Sequence, residues 1–326
     1  MAVYTDITGE ELEVFLADYG LELLAFKGIA DGVENSNFLV HTQDGDHQVD
    51  YILTLYEKRT KVEDLPFFLG LMEHLSAQGY SCPTPVKAND GTDLKELSDR
   101  PAAMVTFLQG FGPKRPSPQQ CEATGEAMAR MHLAAEGFTG RRENGLAMPT
   151  WRPLLEASAD RADEVRPGLI AEMRRDLDVL EAEWPDDLPR GIIHADLFPD
   201  NVFFLGGQVS GVIDFYFACH DQLAYDLAVC LNCWCFEDTP MTAEFNVTKA
   251  RALLRGYQSV RSLTEAELAA LPLLARGAAM RFMVTRLYDW LNTPQDALVK
   301  RKDPLEYVRK LHFHRDVGDI SAYGLL

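Results

Sequence analysis

Positive charge is scarce in this sequence. Its 326 residues hold 31 Lys and Arg against 50 Asp and Glu, a formal net charge of −19. That balance argues against general nucleic-acid binding and against attachment to an anionic membrane surface. No apolar stretch runs uninterrupted for about 18 residues, so no membrane span is expected. The first residues, Met1-Ala2-Val3-Tyr4-Thr5-Asp6, carry neither a basic segment nor an apolar core, and no signal peptide is read there. Cysteines number only six, at 82, 121, 219, 230, 233 and 235. The group Cys230-Leu231-Asn232-Cys233-Trp234-Cys235 has no second pair at zinc-finger spacing, and it follows the apolar run Tyr225-Asp226-Leu227-Ala228-Val229. Buried free thiols in a cytoplasmic protein are therefore expected. Internal repeats, low-complexity segments and a Walker A loop are also missing.

What is present suits a globular chain with a large core. Hydrophobic residues make up 47% and charged residues 25%, and the length suits two lobes. Thr8-Gly9-Glu10-Glu11 is a capping box, with Leu12, Phe15, Leu16 and Tyr19 on one face and Gly20 as the stop. Residues 21–30, 37–42 and 48–56 read as antiparallel strands, with Asp44-Gly45 turning between the last two. A helix follows from about Val62 to Gln78, and two more strands are expected near Val86 and over Ala102–Phe107. Leu108-Gln109-Gly110-Phe111-Gly112-Pro113 is rich in Gly and Pro and marks a boundary between a lobe over 1–108 and one over 109–326. Beyond it the pattern is mostly helical. Ser117-Pro118 starts one helix, Thr264-Glu265-Ala266-Glu267 another, and Asp303-Pro304 a last one.

One segment carries chemistry. His194-Ala195-Asp196-Leu197-Phe198-Pro199-Asp200-Asn201 is followed by Val202-Phe203-Phe204-Leu205, a Gly206-Gly207 turn signal, and a returning strand to Ile213-Asp214-Phe215. An Asp, an Asn five residues on and a second Asp thirteen beyond that match the spacing of a phosphoryl-transfer centre. Transfer of a γ-phosphoryl group rests on positioning and on neutralising phosphate charge. Asp196 is the candidate base for an alcohol's proton. Asn201 and Asp214 offer the hard oxygens that Mg2+ prefers. His, Asp and Asn are also common turn formers, but a lone turn does not explain the whole set with a hairpin between.

These motifs resemble those of the aminoglycoside phosphotransferase and choline kinase superfamily. Further stretches are similar to the bacterial homoserine kinases of that fold: Gly32-Val33-Glu34-Asn35-Ser36-Asn37-Phe38, Tyr51-Ile52-Leu53-Thr54-Leu55-Tyr56-Glu57, Leu65-Pro66-Phe67-Phe68, Cys82-Pro83-Thr84-Pro85, Glu143-Asn144-Gly145-Leu146 and residues 281–290. The resemblance spans nearly the whole chain. It implies an α+β protein-kinase-like fold of two lobes, a small antiparallel β-rich N-lobe and a larger, mostly helical C-lobe. It implies ATP and Mg2+ as cofactors, and homoserine as acceptor. Choline, an aminoglycoside or another small alcohol remains an alternative, and so does a non-catalytic nucleotide-binding regulator.

By the same resemblance, the loop of residues 28–37 covers the phosphates, with Gly32, Asn35, Ser36 and Asn37 as contacts, and Met104-Val105-Thr106-Phe107 is the hinge strand, with Val105 and Phe107 meeting adenine through their backbone. The third strand departs from the pattern. Thr54 stands where relatives of this fold carry Lys or Arg, and Lys27, Lys58 or Arg59 is a possible substitute. Homoserine offers a carboxylate, an ammonium and a primary alcohol, so its site needs a cation and acceptors. Arg281, Arg286 and Asp289, on one apolar segment, are the candidates, Arg281 first among them. An Arg286–Asp289 pair at i,i+3 would be a purely structural use of the second arginine. Asp226 is expected to support the catalytic loop and His194 to pack. The oligomeric state is not legible.

Overall fold

Each capping box opens the helix it was read to open. The structure is a computed structural model, and it describes residues 5–29, 35–57, 60–238, 243–293 and 301–325. The chain divides into two compact units. One comprises Met1–Gln109 with Phe138–Gly140 and Gly211–Tyr216, and the other comprises Gly110–Gly137, Arg141–Ser210 and Phe217–Leu326.

The first unit begins with α1 (Gly9–Ala17). The Thr8 hydroxyl accepts from the Glu11 amide at 3.2 Å, and the Glu11 carboxylate accepts from the Thr8 amide at 2.8 Å. Next come β1 (Glu22–Gly28), β2 (Ser36–Asp44), β3 (His47–Leu55), α2 (Leu65–Ala77), β4 (Lys95–Leu97) and β5 (Arg100–Thr106). They form an antiparallel sheet in the order β1-β2-β3-β5-β4. Alternation of apolar residues along β2 and β3 puts Phe38, Val40, Leu53 and Leu55 on one face. Leu12, Phe15 and Leu16 of α1 close over that face. Each side chain so buried contributes roughly 1.5–3 kcal/mol.

One strand differs from expectation. Val86 belongs to no strand: Pro85 makes a single bridge to Val105, and the Val86 amide donates to the Met104 carbonyl at 2.9 Å. The fifth strand is β4 instead. Its turn to β5 uses Ser98 (φ 52°) and Asp99 (φ 57°), both left-handed without glycine, so the usual hairpin signal is missing from the sequence.

The second unit contains α3 (Pro118–Ala134), α4 (Trp151–Glu156), α5 (Leu169–Glu183), β6 (Arg190–Ile193), β7 (Val202–Leu205), β8 (Gln208–Val212, whose last two residues belong to the first unit), β9 (Cys219–Gln222), α6 (Leu223–Trp234), β10 (Phe236–Asp238), β11 (Ala243–Phe245), α7 (Val247–Gln258), α8 (Glu265–Asn292) and α9 (Leu305–Arg315). β7 and β8 form the expected ribbon through Gly206 (φ 59°) and Gly207 (φ 85°). β6 pairs antiparallel with β9, an association no sequence signal announced. α8 is long and apolar enough to cross a bilayer by length and composition, but 67% of that window is buried within the fold, as a core helix requires. Asn232 ties α6 to α8 by donating to the Ala275 carbonyl at 2.9 Å. α3 and α7 cross at glycines: a methyl group on Gly125 would overlap the Leu253 carbonyl, and one on Gly256 the Glu122 carbonyl.

Candidate active site

Asp196 leaves β6 by a turn that the sequence does not favour. Ala195 sits at φ 63°, a left-handed conformation that costs a non-glycine residue about 1–2 kcal/mol. Asp226 on α6 supplies the compensation. Its carboxylate, 0% exposed, accepts from the His194 amide and from the Ala195 amide, each at 2.7 Å, and from His132 Nε2 at 3.0 Å. Burial pushes the Asp226 carboxyl up, but these bonds and the histidine charges outweigh it and hold the group below the usual carboxylate range. The Tyr257 hydroxyl bonds to His132 Nδ1 at 2.8 Å and so fixes the ring.

Asp196 faces the opposite balance. Burial raises its carboxyl above the ordinary value, and Arg281, His194 and Lys302 pull it back only in part. A carboxylate raised in this way is a better proton acceptor for an alcohol. The next carbonyl, Leu197, accepts from Trp234 Nε1 at 2.8 Å, from Cys230 Sγ at 3.4 Å and from Cys233 Sγ at 3.5 Å. The segment is therefore gripped from α6 on both sides of Asp196.

Asn201 is the last residue of a single turn of 3-10 helix, Pro199–Asn201. Its Nδ2 donates to the Asp196 carbonyl at 2.8 Å, which leaves Oδ1 as the atom it can offer to a cation. Asp214 stands two residues beyond β8 at φ 64°, left-handed like Ala195 without being glycine. Amide and carboxylate oxygens are the donors Mg2+ takes, and the chemistry of the set fits that ion. Among the described residues no group of three or more His, Cys, Asp or Glu side chains could hold a metal.

The other expected residues fall as follows. Gly32 lies outside the described residues, as do Lys58 and Arg59. Asn35 and Ser36 are buried, and their side chains hold strand ends together. Asn35 Oδ1 accepts from the Glu57 amide at 3.1 Å and from Thr60 Oγ1 at 3.0 Å, and Ser36 Oγ donates to Glu57 at 2.7 Å. Thr54 Oγ1 donates to Asn37 Oδ1 at 2.8 Å across the β2–β3 ladder. These side chains tie the start of β2 to the residues that follow β3. Lys27 is exposed on β1. Val105 lies between β3 and the Pro85 bridge, and Phe107 is 38% exposed just past the strand end. The first unit also sets Tyr216 beside Tyr56, hydroxyl to hydroxyl at 3.1 Å, and burial pushes the Tyr216 phenol up to about 12. Neither tyrosine was read as functional.

Both arginines of α8 bond to other groups of the protein. Arg281 is 2% exposed; its guanidinium lies 4.5 Å from the Phe282 ring centroid and donates through Nη1 to the Ala195 carbonyl. One arm of its guanidinium is thus engaged with the backbone of the Asp196 segment. Arg286 is closed by Glu306 at 2.7 Å and lies over Tyr307 at 4.4 Å. The structural partner of Arg286 is thus on α9, and Asp289, near the end of α8, is not the group that neutralises it in that ion pair.

Comparison with known proteins bears on the same segments. The model of the phosphotransferase enzyme family matches residues 25–263. A homoserine kinase of Rhodospirillum rubrum is 61% identical over 326 residues, covering 100% of this chain and 99% of the relative. One of Brucella anthropi is 60% identical and covers 100% and 98%. The chain belongs to the phosphotransferase enzyme family, in its homoserine kinase branch. Solved structures agree in fold. A spectinomycin phosphotransferase complexed with ADP and spectinomycin aligns with TM-score 0.68 at 14% identity over 98% of each chain. A choline kinase from Cryptosporidium parvum aligns with TM-score 0.65 at 12% identity over 94% of this chain and 95% of the other. The enzyme is an ATP-dependent phosphotransferase with an alcohol group as acceptor. His132 was invisible to sequence reading because its partner Asp226 is 94 residues away. A lone polar residue among the buried Met128 and Met131 of α3 was the only signal it left.

Proposed function

We propose that this enzyme transfers the γ-phosphoryl group of ATP to the side-chain hydroxyl of L-homoserine, the step that commits homoserine to threonine synthesis. Full-length identity near 60% to the homoserine kinases carries the choice of acceptor. Asp196 takes the hydroxyl proton as the alcohol oxygen attacks phosphorus. His132, Asp226 and Arg281 hold Ala195 and its neighbours so that the Asp196 carboxylate is fixed before substrate arrives. Asn201 Oδ1 and the Asp214 carboxylate would be the oxygens offered to Mg2+, which neutralises phosphate charge when bound. The sheet unit takes the nucleotide, with the backbone of residues 35–37 near the phosphates, that of Val105 and Phe107 at adenine, and Thr54 where a lysine stands in other kinases of this fold. The cytoplasm is the expected location, without nucleic-acid or membrane partners.

An ADP-release assay across homoserine, choline, ethanolamine, serine and an aminoglycoside tests the acceptor. Homoserine should give the highest kcat/KM, and preference for any other acceptor refutes the assignment. Asp196→Asn should keep nucleotide affinity within a few-fold while lowering kcat by about 100-fold or more. Retention of full turnover would reject Asp196 as base.

A further inference from the structure

An amino-acid acceptor brings a carboxylate that a carboxylate base and a phosphate site would both repel. Some cation must receive it. Most cations near the catalytic loop are already engaged. Arg281 is turned onto the Ala195 carbonyl. Arg286 and Lys310 share Glu306, at 2.7 Å and 2.8 Å. Arg301 donates to the Trp290 carbonyl at 3.0 Å and lies over the Trp290 ring at 4.8 Å. Lys302 stands apart from all of these. It is exposed and has no ion pair among the described residues. Its Nζ lies 5.5 Å from the centroid of the Phe198 ring. Phe198 is two residues beyond the base, and its ring meets Phe282 edge-on at 5.1 Å, so the platform beneath the ammonium is itself fixed.

Resting on the acceptor assigned above, we propose that Lys302 binds the substrate carboxylate and makes the site selective for an amino acid over a simple amino alcohol. Homoserine is a short chain with its hydroxyl at one end and its carboxylate at the other. With the hydroxyl at Asp196, the carboxylate extends along the Phe198 ring to the lysine. A point charge on a flexible stem suits a substrate that must enter and leave, whereas the arginines nearby serve fixed structural bonds.

The test compares two acceptors that differ by that one group, homoserine and 3-aminopropan-1-ol, in the wild type, Lys302→Met and Lys302→Arg. A charge-assisted hydrogen bond to a carboxylate translates to roughly 10- to 100-fold in affinity. Lys302→Met should raise the homoserine KM by about that factor, with kcat and the ATP KM within about threefold of wild type. Its activity on 3-aminopropan-1-ol should be unchanged, so the preference for homoserine collapses. Lys302→Arg should keep most of that preference. An unchanged homoserine KM in Lys302→Met, or an equal loss on both acceptors, overturns the proposal. Wild-type enzyme that fails to turn over homoserine overturns the acceptor assignment, and this proposal with it.

Discussion

A single buried guanidinium ties acid-base chemistry to backbone geometry at this site. Arg281 bonds the carbonyl of Ala195 and at the same time lowers the affinity of Asp196 for a proton. Burial alone would raise that carboxyl further. Activity that depends on ionised Asp196 must fall as pH drops through its folded-state pKa, and the acid limb of kcat/KM should lie above the ordinary carboxylate range. Arg281→Met removes the largest opposing charge, so the limb should move to still higher pH. A pH–rate profile of both proteins measures this, and a limb that stays in place or moves down contradicts it. At this scale the sequence was legible where function writes a local pattern. Spacing alone nominated Asp196, Asn201 and Asp214 for the roles proposed above. Arg281 could be found only as an unexpected charge, and its orientation is set by a residue 86 positions away.

Elements were legible where their signals are local. The capping boxes at Thr8 and Thr264, the Ser117-Pro118 start and the Gly206-Gly207 turn needed only neighbouring residues. The β6–β9 pair and the short β4 were not legible, because pairing partners far apart in sequence and a Ser-Asp turn leave no local mark. The α3–α7 crossing belongs to the same class. Its two glycines let each helix backbone rest against the other, and neither looked special in sequence. Gly256→Ala forces a methyl group into the Glu122 carbonyl, which should destabilise the fold by about 1–3 kcal/mol or more. Thermal unfolding measures the fall in Tm. Because α3 also carries His132, the same variant should lose activity before it loses the fold.

For the molecule as a whole, the acid side of the stability profile has an identifiable contributor. His314 on α9 is 2% exposed, with Nδ1 bonded to the Tyr323 hydroxyl at 2.8 Å and the rings of Phe236 and Phe245 around it. Burial, aided by the Lys310 charge, lowers its pKa to about 3 from 6.5. Between those values the unfolded chain holds a proton that the folded one refuses. Stability should therefore fall on acidification by about 1.4 kcal/mol per pH unit from this group. Urea titrations at pH 7 and pH 5 on the wild type and His314→Phe should show the smaller pH dependence in the variant. Thiols give a second view of the same transition. Five of the six cysteines are buried and only Cys233 is partly open, so the native enzyme presents one slow sulfhydryl to an alkylating reagent and the denatured chain presents six. Cys230 is sealed and shares its oxygen partner, the Leu197 carbonyl, with Cys233, one residue past Asp196. Its labelling thus dates the moment the catalytic turn comes apart, without substrate or cofactor in the tube.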